Sequence, residues 1–389
     1  MTPPINPRLL DTATPPIPEA RAWISHYGGA HGPLIDLSQA APAVVPPQEM
    51  LHRLAAAASD PASAKYGPIE GDLALREAYA RDVAETYDAT NIGLDEIAIT
   101  AGCNQAFMVA AMALAKAGDA VLLPSPWYFN HKMALDMLGI EARPLLCTAE
   151  RGFVPDPAEA ERMFDSRTRA IVLVTPNNPT GAIYPPHVIA AFAGLARERN
   201  IWLVIDETYR DFMPDGVDRA HDLFVDGGRD RVIQLYSFSK SYAVPGYRLG
   251  AILGPPELMR QIAKILDTLQ ICPARVGQVA TSWAIGALRA WRDDNRVDIN
   301  ARAAAFADAM NNAPGWRIDS IGAYFAFVRG PYPGAATETV ERLAVGRGVL
   351  ALPGAWFGPG GEGHLRVAFA NAPMEMLGEI PARIAGVAQ

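Results

Sequence analysis

The chemistry of this sequence starts at Lys240. The stretch Ser237-Phe238-Ser239-Lys240-Ser241 follows the apolar run 232–236. A lysine just past a strand end, flanked by hydroxyls, is placed to lose part of its hydration. Desolvation disfavours the ammonium form, lowers the pKa and leaves a nucleophilic amine. Eight residues on, Arg248 carries a planar, permanently charged fork suited to a phosphate. Alone, such a lysine is ordinarily a solvated surface residue, so the reading needs company.

Three more clusters stand at the ends of apolar runs. Asp206 closes the run 201–205. A carboxylate there is costly to bury unless it meets a cation or a donor; as a helix cap or exposed turn it would carry no chemistry. Tyr209 follows, and by itself reads equally well as core. Pro176-Asn177-Asn178-Pro179-Thr180-Gly181 follows the run 170–175. It is a rigid turn that can aim an amide, or a plain connection. Ala101-Gly102-Cys103-Asn104-Gln105 lies between the run 97–100 and a helix expected over 105–117. A Gly-containing helix start offers free N–H groups and a positive dipole end to a phosphate, as many crossovers do.

The elements that must position these residues alternate. Residues 72–87 have Leu75, Tyr79 and Val83 at helical spacing. The runs 97–100, 120–123, 170–175, 201–205, 232–236 and 249–253 are short, rich in Val, Ile and Leu, and bounded by Gly, Pro, Asp or Asn. Such runs between helices predict an α/β protein with a largely parallel sheet covered on both faces. Ligands in open α/β sheets bind beyond the carboxyl ends of the strands, where all four clusters fall. From 281 to about 313 the chain reads as helix, followed by short strands at 316–319, 323–328, 349–352 and 364–369. Residues 1–47 are rich in proline and predict an extended arm whose second half packs through Trp23, Ile24, Tyr27, Leu34, Ile35 and Leu37. The expected organisation is an arm and part of a small domain over 1–47, a large domain over 48–280 and a small α/β domain over 281–389.

Composition excludes several classes. Among 389 residues, half are apolar and a fifth charged, which is globular rather than disordered. The net charge of −8 disfavours a nucleic-acid grip. Cys103, Cys147 and Cys272 have no paired spacing, which argues against zinc, so no metal is expected, and for a reducing compartment. No Gly-x-Gly-x-x-Gly follows a strand and no Walker loop is present. The apolar stretch 106–124 is broken by Lys116 and Asp119 and reads as helix, turn and strand, not a membrane span. With no export signal seen at the start, the expected location is the cytoplasm.

Together the clusters resemble the class I/II pyridoxal-phosphate aminotransferases. Ser239, Lys240, Tyr242, Gly246, Arg248, Leu249 and Gly250 fit that family's Ser-Lys-x-(Phe/Tyr)-x-x-x-Gly-x-Arg-(Leu/Ile/Val)-Gly signature. Asn178-Pro179-Thr180-Gly181, Asp206-Glu207-Thr208-Tyr209, Tyr66-Gly67-Pro68-Ile69-Glu70-Gly71 and Gly363-His364-Leu365-Arg366-Val367-Ala368-Phe369 complete the set, in the family's order, between about residues 35 and 370.

The resemblance implies fold type I, aspartate aminotransferase-like, with a seven-stranded, mostly parallel sheet, a smaller α/β C-terminal domain and pyridoxal 5'-phosphate as cofactor. It implies that Lys240 holds the cofactor as a Schiff base and then shuttles a proton, while Asp206 pairs with the pyridine nitrogen. Asn178 and Tyr209 would bond the phenolic oxygen. Tyr128 would stack on the ring, with Trp127 as competitor. Gly102, Cys103, Asn104, Ser237 and Arg248 would hold the phosphate. Tyr66 would reach the phosphate of a partner subunit, which implies a homodimer with a shared site. Arg366 would grip the substrate α-carboxylate, with Asn178 also on the substrate side.

Two departures stand out. Ser38-Gln39-Ala40-Ala41-Pro42 lacks the glycine the family often has in the segment over the substrate, which puts close backbone approach in question. Cys103 and Asn104 are unusual in the phosphate loop, and Cys103 reads as packed or, alternatively, oxidation-sensitive.

Substrate is weakly written. Arg275 is a candidate second cation for an acidic side chain, though a structural arginine is the simpler reading. Tyr27, Trp127, Tyr128 and Tyr324 lean towards a hydrophobic or aromatic pocket. The expected activity moves an amino group from an L-amino acid to a 2-oxo acid. A carbon–sulfur β-lyase or synthase on the same scaffold is one alternative. A non-catalytic cofactor-binding module is the other; intact Lys240, Asp206 and Arg366, and no basic helix-turn-helix in front, speak against it.

Overall fold

The short apolar runs become the core of one sheet. Its seven strands lie in the order Ile97–Thr100, Gly250–Leu253, Val232–Ser237, Trp202–Asp206, Thr168–Val174, Ala120–Ser125 and Glu141–Leu146. The computed structural model describes residues 3–217, 219–225, 228–331 and 336–385. Side chains alternate between two apolar cores, one on each face: Leu203 and Ile205 enter one, Val204 the other. That is the period-2 geometry of a strand, and burial on both faces explains why the runs are apolar throughout. Helices Gln48–Ser59, Leu73–Tyr87 and Arg275–Ala287 pack together, as do Cys103–Leu114, Phe129–Leu138 and Pro256–Gln270.

Every neighbouring pair is parallel except the two made by Gly250–Leu253. Between Ser237 and Gly250 the chain makes only single turns, Phe238–Ser241 and Pro245–Tyr247. A strand that returns without a full crossover must run antiparallel. The short return keeps Lys240 and Arg248 at the same end of the sheet.

The seventh strand, Glu141–Leu146, was not among the expected runs. Its residues Glu141, Arg143 and Pro144 hide the pattern, and they are tolerated because this strand pairs on one side only.

The C-terminal part holds a four-stranded antiparallel sheet, Leu352–Pro353, His364–Val367, Phe325–Arg329 and Arg317–Gly322. The expected strand 349–352 divides: Val349–Leu350 pairs in parallel with Ile35–Asp36, and Leu352–Pro353 joins the larger sheet. The expected continuous helix over 281–313 is two, Arg275–Ala287 and Arg289–Met310, which meet at Leu288.

The arm is not extended. Helices Pro7–Asp11 and Pro16–Trp23 both carry proline in the first turn, where its missing N–H is no loss and its fixed φ suits the helix. Its second half packs as expected: the Trp23 and Trp356 rings lie 5.4 Å apart, and Ile35 and Leu37 are fully buried.

Candidate active site

The carboxyl ends of Thr168–Val174, Trp202–Asp206 and Val232–Ser237 open into a cleft of about 450 Å³. Cys103, Asn104, Tyr128, Asn178, Asp206, Tyr209, Ser237, Lys240, Arg248 and Arg366 all line it. Residues spread over more than 260 positions of sequence thus meet where the topology directs them.

Lys240 sits on the single turn Phe238–Ser241, which Ser237 caps by accepting a hydrogen bond from the Ser239 N–H. Its amine donates to the Ala40 carbonyl oxygen. Burial, reinforced by the positive charges of Arg248 and Arg366, lowers its pKa to about 8. Asp206 is buried, with Oδ2 3.2 Å from His131 Nε2 and Oδ1 accepting from the Thr208 N–H at 3.0 Å. Burial pushes its carboxyl up, but His131 and Thr208 together outweigh this and hold the pKa below the usual range.

His131 escaped the sequence reading. It stacks on Phe107 at 3.9 Å and lies three residues after Tyr128, near the start of helix Phe129–Leu138. That i, i+3 relation to an expected site residue was the available signal.

A cradle forms where two backbones meet. Gly102 has φ +84°, and a Cβ there would collide with the Arg248 guanidinium. A Cβ on Gly250 would collide with the backbone of Gly102 and Cys103. No side chain caps helix Cys103–Leu114, so the N–H groups of Cys103 and Asn104 remain available, while that of Gln105 donates to the Gly102 carbonyl at 3.1 Å. Cys103 is buried, and burial with the nearby Asp206 carboxylate pushes its thiol well up, which favours the packed reading over a reactive thiol.

Arg366, 2% exposed, lies on His364–Val367 beneath Phe325 and Phe357. Burial lowers its pKa to about 10, a range in which it stays charged at neutral pH. One Nη donates to Asn178 Oδ1 at 3.4 Å and the other to the Ser38 carbonyl. The backbone of Ser38 and Ala40 therefore does approach the site closely without a glycine, because carbonyl oxygens, not Cβ atoms, make the contact. In the turn after Val174 the two asparagines divide the work. Asn177 Oδ1 accepts from the Thr180 N–H and hydroxyl and holds the turn, while Asn178 lines the cleft. Gly181 closes that turn against the backbone of Gly322 and Phe325, where no Cβ fits.

Several expected residues lie elsewhere. Tyr128, not Trp127, lines the cleft; Trp127 packs beside Gly358. Tyr324 is buried in contact with Tyr209, ring centroids 5.4 Å apart, and Tyr27 donates to the Gly32 carbonyl; neither lines the cleft. Arg275 pairs with Asp72 at 3.1 Å and donates to the Ala62 carbonyl. Tyr66 is 79% exposed and away from the cleft of its own chain.

An amine of lowered pKa, a buried ionised carboxylate, a backbone cradle with an arginine, and a second buried arginine form the donor set of a fold-type I pyridoxal-phosphate enzyme. Two observations show that the set fits this cofactor. Ser239 Oγ and Arg366 Nε are buried without a partner, and among the described residues Lys240, Arg248 and Arg366 bond carbonyl and amide oxygens rather than carboxylates.

Comparison with known proteins agrees. The family model of aminotransferase class I and II matches residues 32–384, and the chain belongs to that family. It is 29% identical over 332 residues to aromatic-amino-acid aminotransferase 2 of Thermococcus litoralis, covering 83% of this chain and 84% of that one. It is 30% identical over 319 residues to the aspartate/prephenate aminotransferase of Thermus thermophilus, covering 79% of each. The solved Thermus thermophilus aspartate aminotransferase with maleate superposes with a TM-score of 0.91 at 26% identity, covering 99% of this chain and 100% of that one.

The protein is a pyridoxal-phosphate-dependent aminotransferase that acts on amino and 2-oxo acids. The lyase, synthase and non-catalytic alternatives are not favoured by these relatives. Among the described residues no helix is long and apolar enough to cross a membrane.

Proposed function

We propose that this enzyme takes its amino group from an L-amino acid with a hydrophobic or aromatic side chain and passes it to a 2-oxo acid. One observation carries the reading: among the described residues the only cations lining the cleft are Lys240, Arg248 and Arg366, and each already has a task. A substrate with a second carboxylate finds no further cation in this chain's cleft, and Arg275 is engaged by Asp72. Some relatives are named for aromatic amino acids and others for aspartate, so the choice rests on this chain's own lining.

Pyridoxal phosphate, when bound, supplies an aldehyde carbon for amine exchange and a ring that withdraws electrons from the substrate α-carbon. Lys240 would hold it and, once displaced, take the α-proton at Nζ and return it elsewhere. Asp206, kept ionised by His131 and Thr208, would hold the proton on the ring nitrogen. Asn178 and Tyr209 would bond the phenolic oxygen, and Tyr128 would cover the ring face. The N–H groups of Cys103 and Asn104, with Ser237 and Arg248, would hold the phosphate beside the Cβ-free Gly102, whose own N–H donates to the Thr100 carbonyl at 2.8 Å. Arg366 would orient the α-carboxylate with two parallel hydrogen bonds.

The working unit in this reading is a homodimer in the cytoplasm. Tyr66, Leu73, Ile271 and Val279 are exposed, Leu73 and Val279 in one surface hollow, and a second copy would cover them. Three unpaired cysteines suit a reducing compartment. Light scattering checks the dimer: a monomer at micromolar concentration would remove it. Cell fractionation checks the location. The activity is tested by mixing the loaded enzyme with single amino acids and following the absorbance change to the amine form of the cofactor. Phenylalanine and tyrosine should convert it faster than aspartate; aspartate leading would overturn the substrate assignment.

A further inference from the structure

Part of the cleft wall has no task in the roles above: Pro15, Ile17, Gln39, Asn130 and the side chain of Asn104. Three of these five are neutral amides, each half engaged. Asn130 Nδ2 donates to the Tyr128 hydroxyl at 3.1 Å, and that hydroxyl donates to Asn104 Oδ1 at 3.3 Å. Gln39 Oε1 accepts from Arg21 at 2.7 Å. Each of these bonds also fixes which end of its amide is spoken for. What remains without a partner among the described residues is the NH₂ of Asn104, the NH₂ of Gln39 and the carbonyl oxygen of Asn130. The Tyr128 hydroxyl is engaged as donor and as acceptor, and burial raises its pKa to about 12, so it adds no charge.

The free groups of these three amides are two donors and one acceptor, all uncharged. A side chain ending in a carboxamide or a hydroxyl can answer both kinds of group. A carboxylate only accepts: it would face the Asn130 oxygen, and the cation nearest this wall, Arg21, is held by Gln39 Oε1. A purely apolar side chain would strip water from the amides and leave them unpaired, which hydrogen-bonding sites reject strongly.

We infer that the amides of Gln39, Asn104 and Asn130 select amino donors whose side chain ends in an uncharged group that both donates and accepts a hydrogen bond. This rests on the aminotransferase reading of the cleft: among the aromatic donors proposed above it prefers tyrosine to phenylalanine, and beyond them it adds glutamine, preferred to its near-isostere glutamate. Pro15 and Ile17 supply the apolar contact for the stem of such a side chain.

The test is a set of matched pairs on the loaded enzyme: glutamine against glutamate, asparagine against aspartate, tyrosine against phenylalanine, each as the rate of conversion to the amine form of the cofactor. The neutral polar member should lead by about tenfold or more in each pair. Asn130→Leu and Gln39→Leu should bring the ratios towards one. A second readout needs no turnover: calorimetry should show 3-(4-hydroxyphenyl)propanoate binding several-fold tighter than 3-phenylpropanoate, with the gap lost in Asn130→Leu. Glutamate equal to or ahead of glutamine, or ratios unmoved by both variants, would overturn the inference while leaving transamination intact. Failure of every amino acid to convert the cofactor would instead strike the reading of the cleft, and the calorimetric pair would still decide the subsite.

Discussion

Asp206 and Glu207 are neighbours in the chain but face two buried polar clusters of opposite character. Around Glu207 charge is matched within the protein. Glu207 accepts from Tyr87 at 2.5 Å and from Gln234, with His221 at 3.3 Å. Asp82 holds Arg210 at 2.5 Å and Arg292 at 3.0 Å, and Asp211 holds Arg292 at 3.2 Å. The Arg210 guanidinium also lies over the Tyr236 ring at 4.1 Å. Around Asp206 the cations are unmatched: half-buried Lys240 and exposed Arg248 have carbonyl partners, and fully buried Arg366 a carbonyl and an amide. Buried charge that the protein pairs itself holds shape, whereas buried charge left without a counter-ion marks where a ligand's charge belongs. Ser241, next to Lys240, donates to Asp211 at 2.5 Å and ties the two clusters together.

The contrast is broken most sharply at Lys240. Lys240→Ala should lower turnover by at least about 10⁴-fold, since it removes both the covalent anchor and the proton carrier. The apo variant should remain folded by circular dichroism. Retained turnover within about tenfold would end the assignment of Lys240. In the matched cluster the effects should invert. Asp82→Asn leaves Arg210 and Arg292 short of a carboxylate and should cost about 3–5 kcal/mol of stability in a urea titration. Its turnover per folded molecule, measured well below the melting range, should stay close to that of the parent. A stable Asp82→Asn protein with impaired chemistry would show that the rear cluster is not merely structural.

The two clusters also differ in how readable they were. Lys240, Asp206, Asn178 and Arg248 stand at strand ends in a recognisable order, so the sequence could place them together before any coordinates. Asp82 lies 128 residues from Arg210 and 210 from Arg292. Nothing local in a helix such as Leu73–Tyr87 announces that one of its acids is buried against two arginines. His131 was missed for a related reason: its partner Asp206 is set by topology, not spacing. The edge strand Glu141–Leu146 lacked the apolar signal of strands buried on both faces, and proline content misled the reading of the arm because proline also starts helices. Asn177 and Asn178 could not be told apart until the turn was seen to close on Asn177. What the sequence carries is chemistry ordered along the chain; which charges cancel is decided by long-range packing.

That cancellation can be measured at Lys240 itself. In the apo enzyme its pKa is lowered from 10.5 to about 8, by burial first and then by Arg248 and Arg366. The unfolded chain therefore binds the proton more tightly. Between about pH 8 and 10.5 the unfolded state carries more protons than the native one, so stability rises with pH across that window. Below pH 8 the charged amine imposes a constant cost, about 2–3 kcal/mol once partial exposure is allowed for. Lys240→Met removes the cost. The apo variant should exceed the apo parent in stability at pH 7, by up to that amount, and the gap should close as pH approaches 10. Urea titrations of both apo proteins at pH 7, 8.5 and 10 check this. A gap that stays constant with pH would mean that the amine is not held at a lowered pKa by the unmatched cations around it. The difference between the two clusters would then lie in geometry alone.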